Sequence, residues 1–182
     1  MVKKNLKNIG ILGGSFDPPH RGHIFVTKQS IKRLKLKKVI WAITKKNPLK
    51  KKPFFSFSNR KSMCQKIIKS HKDIQLEYFE DKLKSKTTVT LIRFLLKRRN
   101  YKIFFIIGSD NLINFHKWDK YKELLKMCNL VVFSRKGFDT KAKKSVIMKH
   151  LKSKNIKFFK NLKIDISSTK LRSKIINGSK KN

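Results

Sequence analysis

The chain alternates between short apolar runs and longer stretches in which apolar residues recur at helical spacing. The short runs are rich in β-branched and aromatic residues and predict strands at residues 9–13, 39–44, 74–79, 103–107, 130–133 and 156–159. Helical spacing recurs in stretches marked by Ile24, Ile31 and Leu34, by Met63, Ile67 and Ile68, by Leu91, Leu95 and Leu96, and by Leu171 and Ile175. Strands that alternate with helices predict an α/β fold with a parallel sheet, whose ligands bind at the carboxyl ends of the strands.

One stretch between these elements predicts a long loop. Residues 45–58 carry Pro48, Pro53, a run of lysines and three phenylalanines. Such a loop either closes over a substrate or uses its phenylalanines to cap the core, and the sequence leaves both roles open. With no internal repeat and no Gly/Ser-rich linker, residues 1–182 are predicted to form a single domain.

Cysteine usage and hydropathy indicate a cytoplasmic protein. Cys64 and Cys128 stand far apart without CxxC pairing, so neither a disulfide framework nor a protein-held metal is expected. The first ten residues contain no apolar segment of signal-peptide length, and the longest apolar run, residues 103–107, is too short to cross a bilayer. We therefore expect no membrane partner.

The charge of the chain raises a second class of function. A formal net charge of +38 and a pI of about 10.6 are compatible with a basic nucleic-acid-binding protein. However, the lysines are spread along the whole chain among many Ile, Phe and Asn residues, rather than packed into one arm. General lysine enrichment is the preferred interpretation, so no dedicated nucleic-acid partner is expected.

The strongest local signal is the string GGSFDPPHRGH at residues 13–23, between the first predicted strand and the first predicted helix. Glycines at a strand end allow main-chain amides to approach a ligand, and the following helix start offers unpaired N–H groups. His20, Arg21 and His23 place positive charge where it opposes the helix dipole, a penalty that a bound polyphosphate reverses. His20 and His23 are three residues apart, so they share a helix face if the turn is helical. The string therefore predicts a phosphate-binding site.

This string resembles the signature of the HxGH nucleotidyltransferases, which are Rossmann-like, doubly wound α/β proteins. A second string, Ile166 to Arg172, is similar to the ISSTxxR box of the same family. Ser167 or Ser168 suits a helix N-cap, and the following basic residues have no acidic partner in the sequence, which again suggests an anion at a helix start. The resemblance implies that His20, His23 and Arg172 are catalytic, and that Gly13, Gly14, Ser15, Phe16, Ser167, Ser168 and Thr169 join them in binding ATP.

A third set of residues resembles the nicotinate-nucleotide adenylyltransferase branch of that family. In this branch a GxD loop, here Gly108 to Asp110, meets the adenosine, and a downstream tryptophan, here Trp118, stacks on the pyridine ring. A helix N-cap is the alternative role for Asp110, and a core aromatic is the alternative for Trp118. The resemblance adds Gly108, Asp110 and Arg135 to the ATP site. It assigns Lys50, Thr87 and Trp118 to the mononucleotide site.

The resemblance implies adenylyl transfer from ATP to nicotinate mononucleotide, or to nicotinamide mononucleotide, in NAD biosynthesis. It implies no covalent enzyme intermediate, and Mg²⁺ as the cofactor that accompanies ATP. A phosphopantetheine adenylyltransferase is the alternative within the superfamily, but its signature usually has Thr or Ser where this chain has His20. Asp17 is expected to brace the turn rather than to bind metal. Assembly into a homo-oligomer is left open.

Overall fold

The fold is a six-stranded, wholly parallel sheet, seen in a computed structural model that describes residues 6–47, 52–98, 100–150, 155–160 and 166–178. The strands are β1 (Lys7–Gly14), β2 (Lys38–Ile43), β3 (Ile74–Glu77), β4 (Tyr101–Gly108), β5 (Asn129–Phe133) and β6 (Ile156–Phe159). Their order across the sheet is β3-β2-β1-β4-β5-β6, and each neighbouring pair is parallel. This order is the doubly wound Rossmann arrangement, so the predicted fold class is confirmed.

Helices connect the strands, as the sequence pattern predicts. In the described part of the chain they are α1 (Arg21–Leu34), α2 (Phe57–Ile68), α3 (Glu80–Leu83), α4 (Thr88–Arg98), α5 (Ser109–Ile113), α6 (Tyr121–Met127), α7 (Asp139–Lys143), α8 (Val146–His150) and α9 (Ser168–Gly178). The 3₁₀ turn Phe115–Lys117 joins α5 to the segment before α6. All six predicted strands and all four predicted helical stretches are present. The helices that the pattern missed, α3 and α5–α8, span at most seven residues each.

Each face of the sheet carries its own hydrophobic core, because successive strand side chains point to opposite faces. On β4, Ile103 and Phe105 belong to one core, and Phe104 and Ile106 belong to the other. Residues of α4 and α6 pack into the first core, and residues of α1 and α2 pack into the second. The central strands are therefore covered on both sides, which suits their near-continuous apolar sequences.

The strand order reverses between β1 and β4, and this position locates the site. Chain connections leave β1 toward one edge of the sheet and leave β4 toward the other. A crevice opens where the loops after these two strands diverge. The loop at residues 15–20 follows β1, and α5 follows β4 directly.

The segment before α2 ends the predicted long loop earlier than the sequence pattern indicates. Ser56 is the N-cap of α2, and its hydroxyl accepts from the amide of Asn59 at 3.1 Å. Phe57 packs on the second core, where its ring lies 4.7 Å from that of Tyr78, so it takes the core-capping role. Phe54 is 50% exposed. Residues 48–51 lie outside the described ranges, and a lid role for this loop stays a prediction.

Within the described residues, no helix is both long enough and apolar enough to span a membrane.

Candidate active site

Two adjoining cavities open at the carboxyl ends of β1 and β4. The first has a volume of about 610 Å³ and the second about 420 Å³. They share one wall, formed by Gly13, Gly14, Ser15, Ile107 and Asn111. Two ligands bound in these cavities would therefore meet across the end of β1.

The residues that the resemblance assigns to ATP all line the first cavity. They are Gly13, Gly14, Ser15, Phe16, His20, His23, Gly108, Asp110, Arg135, Ser167, Ser168, Thr169 and Arg172. They come from four separate parts of the chain, namely the end of β1 and the loop after it, the end of β4 and the start of α5, the loop after β5, and the start of α9. The fold brings these motifs together, while their roles toward a ligand stay predictions.

His20 and His23 cap the start of α1 reciprocally. His20 is the N-cap, and its Nδ1 accepts a hydrogen bond from the amide of Gly22 at 3.1 Å. The Nδ1 of His23 accepts in turn from the amide of His20, also at 3.1 Å, and the two ring centroids lie 3.9 Å apart. This is a capping box built from two imidazoles. Because each Nδ1 accepts, the neutral form of each ring carries its proton on Nε2.

His20 is a neutral residue at physiological pH. Its side chain is buried, and burial together with the charge of Arg135 lowers its pKa from 6.5 to about 4. The expectation that His20 opposes the helix dipole as a cation is therefore wrong. A neutral ring instead accepts from a helix amide, an interaction that a protonated Nδ1 would abolish.

Gly22 is required by the close approach of His20. A Cβ atom on Gly22 would lie 2.8 Å from Nδ1 of His20 and 3.0 Å from Cγ2 of Ile166. Both distances are shorter than ordinary contacts, so any side chain here would displace the imidazole or the segment before α9. The glycine of the HxGH string thus allows the ring to lie against the first turn of α1.

Phe16 anchors the loop after β1 to the core. Its ring is 2% exposed, stacks on Trp41 with centroids 4.7 Å apart, and lies 5.0 Å from the ring of His23. Its φ of 47° places it in the left-handed region, which few residues with a side chain adopt. The stacking of the ring holds this conformation and turns the chain toward His20.

Asp17 braces the loop, as expected, although its partners are distant in sequence. Its two carboxylate oxygens accept from the amides of Phe54 and Phe55 at 2.8 and 2.9 Å. The same carboxylate lies 3.5 Å from Nη1 of Arg172, which also donates to the main-chain oxygen of Asp17 at 2.5 Å. Arg172 therefore has an acidic partner, and the contrary expectation from the sequence is wrong.

The start of α9 is tied to the same loop. Ser167 caps this helix, because its hydroxyl accepts from the amide of Lys170 at 3.2 Å. The hydroxyl of Ser168 donates to the carbonyl of Pro18 at 2.9 Å. Thr169 accepts from Nη2 of Arg172 at 3.2 Å. The ISSTxxR string therefore closes one side of the first cavity and orients Arg172 within it.

Asp110 and Arg135 form the opposite side. Nη1 of Arg135 donates to a carboxylate oxygen of Asp110 at 2.6 Å, and the Asp110 side chain is more deeply buried than the half-buried Arg135. The N-cap of α5 is Gly108 rather than Asp110, so the alternative role considered for this aspartate is wrong. Asp139 fixes the main chain of Arg135 by accepting from its amide at 2.9 Å.

The second cavity contains two of the three residues predicted for the mononucleotide. Trp118 and Thr87 both line it, whereas Lys50 lies outside the described residues. Trp118 is half-buried, with its ring 5.0 Å from that of Phe115 and 5.8 Å from that of Phe105. Trp118 thus packs on the core and also lines the second cavity, and its stacking on a pyridine ring stays a prediction. Thr87 stabilises the start of α4 by accepting from the amide of Thr90 at 3.4 Å.

Several residues that line the cavities were not predicted as site residues from the sequence. Asn111 borders both cavities, and Lys46, Glu80, Lys86 and Lys117 line the second. They stand in loops or short helices where polar residues are unremarkable. Burial raises the pKa of the Glu80 carboxyl, an effect that the Lys45 amide and nearby lysines partly oppose.

Arg60 was also missed, although its sequence position contains a clue. It falls on the apolar face of α2 together with Phe57, Cys64 and Ile67, and it is 1% exposed. A charged residue at a core position of a helical pattern predicts a specific partner inside the protein.

In the described part of the chain, no three His, Cys, Asp or Glu side chains are grouped so that they could hold a metal ion.

Comparison with known proteins agrees with this geometry. The family model described as cytidylyltransferase-like matches residues 11–174. A probable nicotinate-nucleotide adenylyltransferase from Pelagibacter ubique is 46% identical over 164 residues, covering 90% of this chain and 91% of that protein. The probable nicotinate-nucleotide adenylyltransferase from Aquifex aeolicus is 34% identical, covering 87% of this chain and 98% of its own length.

Solved structures support the fold. The nicotinic acid mononucleotide adenylyltransferase of Plasmodium falciparum, complexed with NaAD, superposes with a TM-score of 0.74 at 23% identity. The match covers 92% of this chain and 83% of that one. Rossmann topology and the two strings at the switch point define a nucleotidyltransferase of the HxGH type. The chain belongs to the cytidylyltransferase-like family, and within it to the nicotinate-nucleotide adenylyltransferases.

The lowered pKa of His20 makes stability depend on pH in a defined window. The unfolded state takes up a proton near pH 6.5, whereas the folded state does so only near pH 4. As the pH falls from 6.5 to 4, the free energy of unfolding should therefore decrease, by at most about 1.4 kcal/mol per pH unit from this group.

His20→Asn keeps a capping acceptor but does not titrate. Urea denaturation of both proteins at several pH values should show the wild type losing more unfolding free energy than His20→Asn between pH 6.5 and pH 4. The advantage of the wild type over the variant should therefore shrink toward pH 4. Parallel pH profiles for the two proteins would contradict this assignment.

Proposed function

We propose that this enzyme transfers the adenylyl group of ATP to nicotinate mononucleotide, giving the dinucleotide and pyrophosphate in NAD biosynthesis. The observation that carries the proposal is the pair of adjoining cavities with a common wall at residues 13–15. A dinucleotide has two nucleotide halves joined by a pyrophosphate linkage. The proposal assigns one half to each cavity, so that the new linkage forms beside the shared wall, close to His20 and His23 at the start of α1.

The reaction is a single in-line displacement. A phosphate oxygen of the mononucleotide attacks the α-phosphorus of ATP, and the bond from that phosphorus to the bridging oxygen breaks, so pyrophosphate leaves with the electron pair. No side chain has to act as a nucleophile. Catalysis then depends on positioning the two phosphates and on stabilising negative charge that develops on their oxygens.

The chain supplies three groups suited to this task in the first cavity. His20 and His23 offer their Nε2–H donors to oxygens of the α-phosphate and of the leaving group. Arg172 offers a guanidinium fork to the β- and γ-phosphates, which suits bidentate binding of phosphate oxygens. Its contact with Asp17 holds it in place before ATP arrives, so less ordering is required on binding.

Mg²⁺ is the proposed cofactor and fits a site with few protein ligands. In the ranges that the structure describes, the carboxylates that border the first cavity are those of Asp17 and Asp110, and each is paired with an arginine. Phosphate oxygens and water would therefore supply most ligands of the ion, which is usual for magnesium bound with ATP. When bound, the ion neutralises charge on the polyphosphate.

The second cavity is suited to an anionic pyridine nucleotide. Trp118 offers an indole face for stacking on the flat cationic ring. Among the described residues that line this cavity, the charged ones are Lys46, Lys86 and Lys117 against Glu80 and Asp119. An excess of positive charge favours the carboxylate of nicotinate over the amide of nicotinamide.

Pyrophosphate release tests the proposed function directly. Purified protein is incubated with ATP, Mg²⁺ and either nicotinate or nicotinamide mononucleotide, and phosphopantetheine serves as the acceptor for the alternative reaction. We expect release with nicotinate mononucleotide and formation of the dinucleotide in equal amount. Turnover with phosphopantetheine alone, or no turnover with any acceptor, would refute the proposal.

His23→Asn tests the imidazole pair, because an amide oxygen preserves the capping acceptor for the amide of His20. We expect kcat to fall about a hundredfold, as for loss of one transition-state donor, with unchanged thermal stability. The matched control is His71→Asn, since His71 lines neither cavity. Near-normal kcat in a folded His23→Asn enzyme would remove His23 from the mechanism.

Trp118→Ala should weaken binding of the mononucleotide selectively. Loss of a stacking contact is worth about 1–3 kcal/mol, so its KM should rise at least about fivefold. The KM for ATP is the internal control and should stay constant, and Trp118→Phe should recover part of the loss. An unchanged mononucleotide KM in a folded variant would leave Trp118 with the core role alone.

A further inference from the structure

Arg60 lies beneath the wall that separates the two cavities. Its Nη1 donates to the carbonyls of Ser15 at 2.6 Å and Thr44 at 2.8 Å. Its Nη2 donates to the carbonyl of Lys45 at 2.9 Å, and its Nε to that of Phe55 at 3.2 Å. One planar guanidinium thus joins four main-chain oxygens from three segments of the chain, namely residue 15, residues 44–45 and residue 55.

These oxygens belong to segments that shape the second cavity. Ser15 lines both cavities, and Thr44 lines the second. The amide of Lys45 is bound in turn by Glu80 at 3.3 Å, another residue of the second cavity. The ends of β1 and β2 are joined by their own ladder, in which the amide of Thr44 donates to the carbonyl of Gly14 at 3.1 Å. Just beyond that last main-chain bond, Arg60 links the carbonyls of Ser15 and Thr44.

The first cavity has supports that do not involve Arg60. Ser168 and Arg172 hold the carbonyls of Pro18 and Asp17, and the two histidines cap α1 by themselves. A change at Arg60 should consequently disturb the two cavities unequally.

Burying this guanidinium is costly, which argues for a specific role. Desolvation lowers its pKa, and the nearby Asp17 carboxylate is the main opposing influence. Arg60 is not among the described residues that line either cavity, so it acts through the main chain rather than on a substrate.

We propose that Arg60 is a positioning residue that aligns the mononucleotide with ATP by holding the Ser15 carbonyl of the shared wall beside the Thr44 carbonyl of the second cavity. This inference rests on the function proposed above. In this proposal Arg60 contacts neither substrate. A change at Arg60 therefore weakens binding of the mononucleotide more than binding of ATP.

Arg60→Lys is the appropriate test, because it keeps the charge and length but cannot span four carbonyls with a planar fork. Arg33→Lys is the matched control, since Arg33 is exposed on α1 and donates to Gln29. For each protein, kcat and both KM values are measured by pyrophosphate release. The Kd of ATP is measured separately by calorimetry, and folding is followed by thermal denaturation.

For Arg60→Lys we expect the mononucleotide KM to rise and kcat to fall by about tenfold each, with the Kd of ATP changed by less than about twofold. Arg33→Lys should match the wild type in every measurement. Equal weakening of both substrates, no change in either, or failure of Arg60→Lys to fold would each overturn the inference, because each indicates a general structural role. An inactive wild-type enzyme would instead refute the proposed function.

Discussion

The site depends on how the loop after β1 is held, because residues 15–20 belong to no strand or helix and several of their carbonyls are held by side chains. The carbonyls of Ser15, Asp17 and Pro18 each accept a hydrogen bond from a side chain far away in sequence. The donors lie on α2 and on α9. Side chains from α2 and α9 thus hold the main chain that follows β1 at the switch point of the doubly wound sheet. Rigidity of this kind is what positioning and electrostatic stabilisation require.

The same arrangement restrains the charged groups. Arg172 is held by Asp17, and Arg135 is held by Asp110, so the cations at the two sides of the first cavity are oriented by carboxylates. His20 remains neutral and binds the helix start, although it stands in a chain of net charge +38. The local chemistry of the site is therefore governed by specific pairs, and the overall excess of lysine contributes a background attraction for anions.

Much of the architecture could be predicted because it follows from local periodicity. Six strand signals and four helical signals correspond to elements of the structure. The glycine-rich string, predicted to bind phosphate, lines the first cavity, and its binding of phosphate stays a prediction. Shorter helices such as α5 and α7 were missed, since five residues contain too little of a helical period to register. Asp110 was weighed as an N-cap, but Gly108 occupies that position and Asp110 pairs with Arg135 from the loop after β5.

By itself, the sequence determined the fold class, the family, and the two strings that line the first cavity, because these depend on spacing within short segments. Only the tertiary structure decided the protonation state of His20, the partner of Arg172 and the role of Arg60. Burial lowers the pKa of His20, and burial depends on packing against residues from elsewhere in the chain. Arg172 meets Asp17 across 155 positions, and Arg60 meets Ser15 across 45. Contacts at such separations exist only once the sheet has formed and brought its loops to one edge.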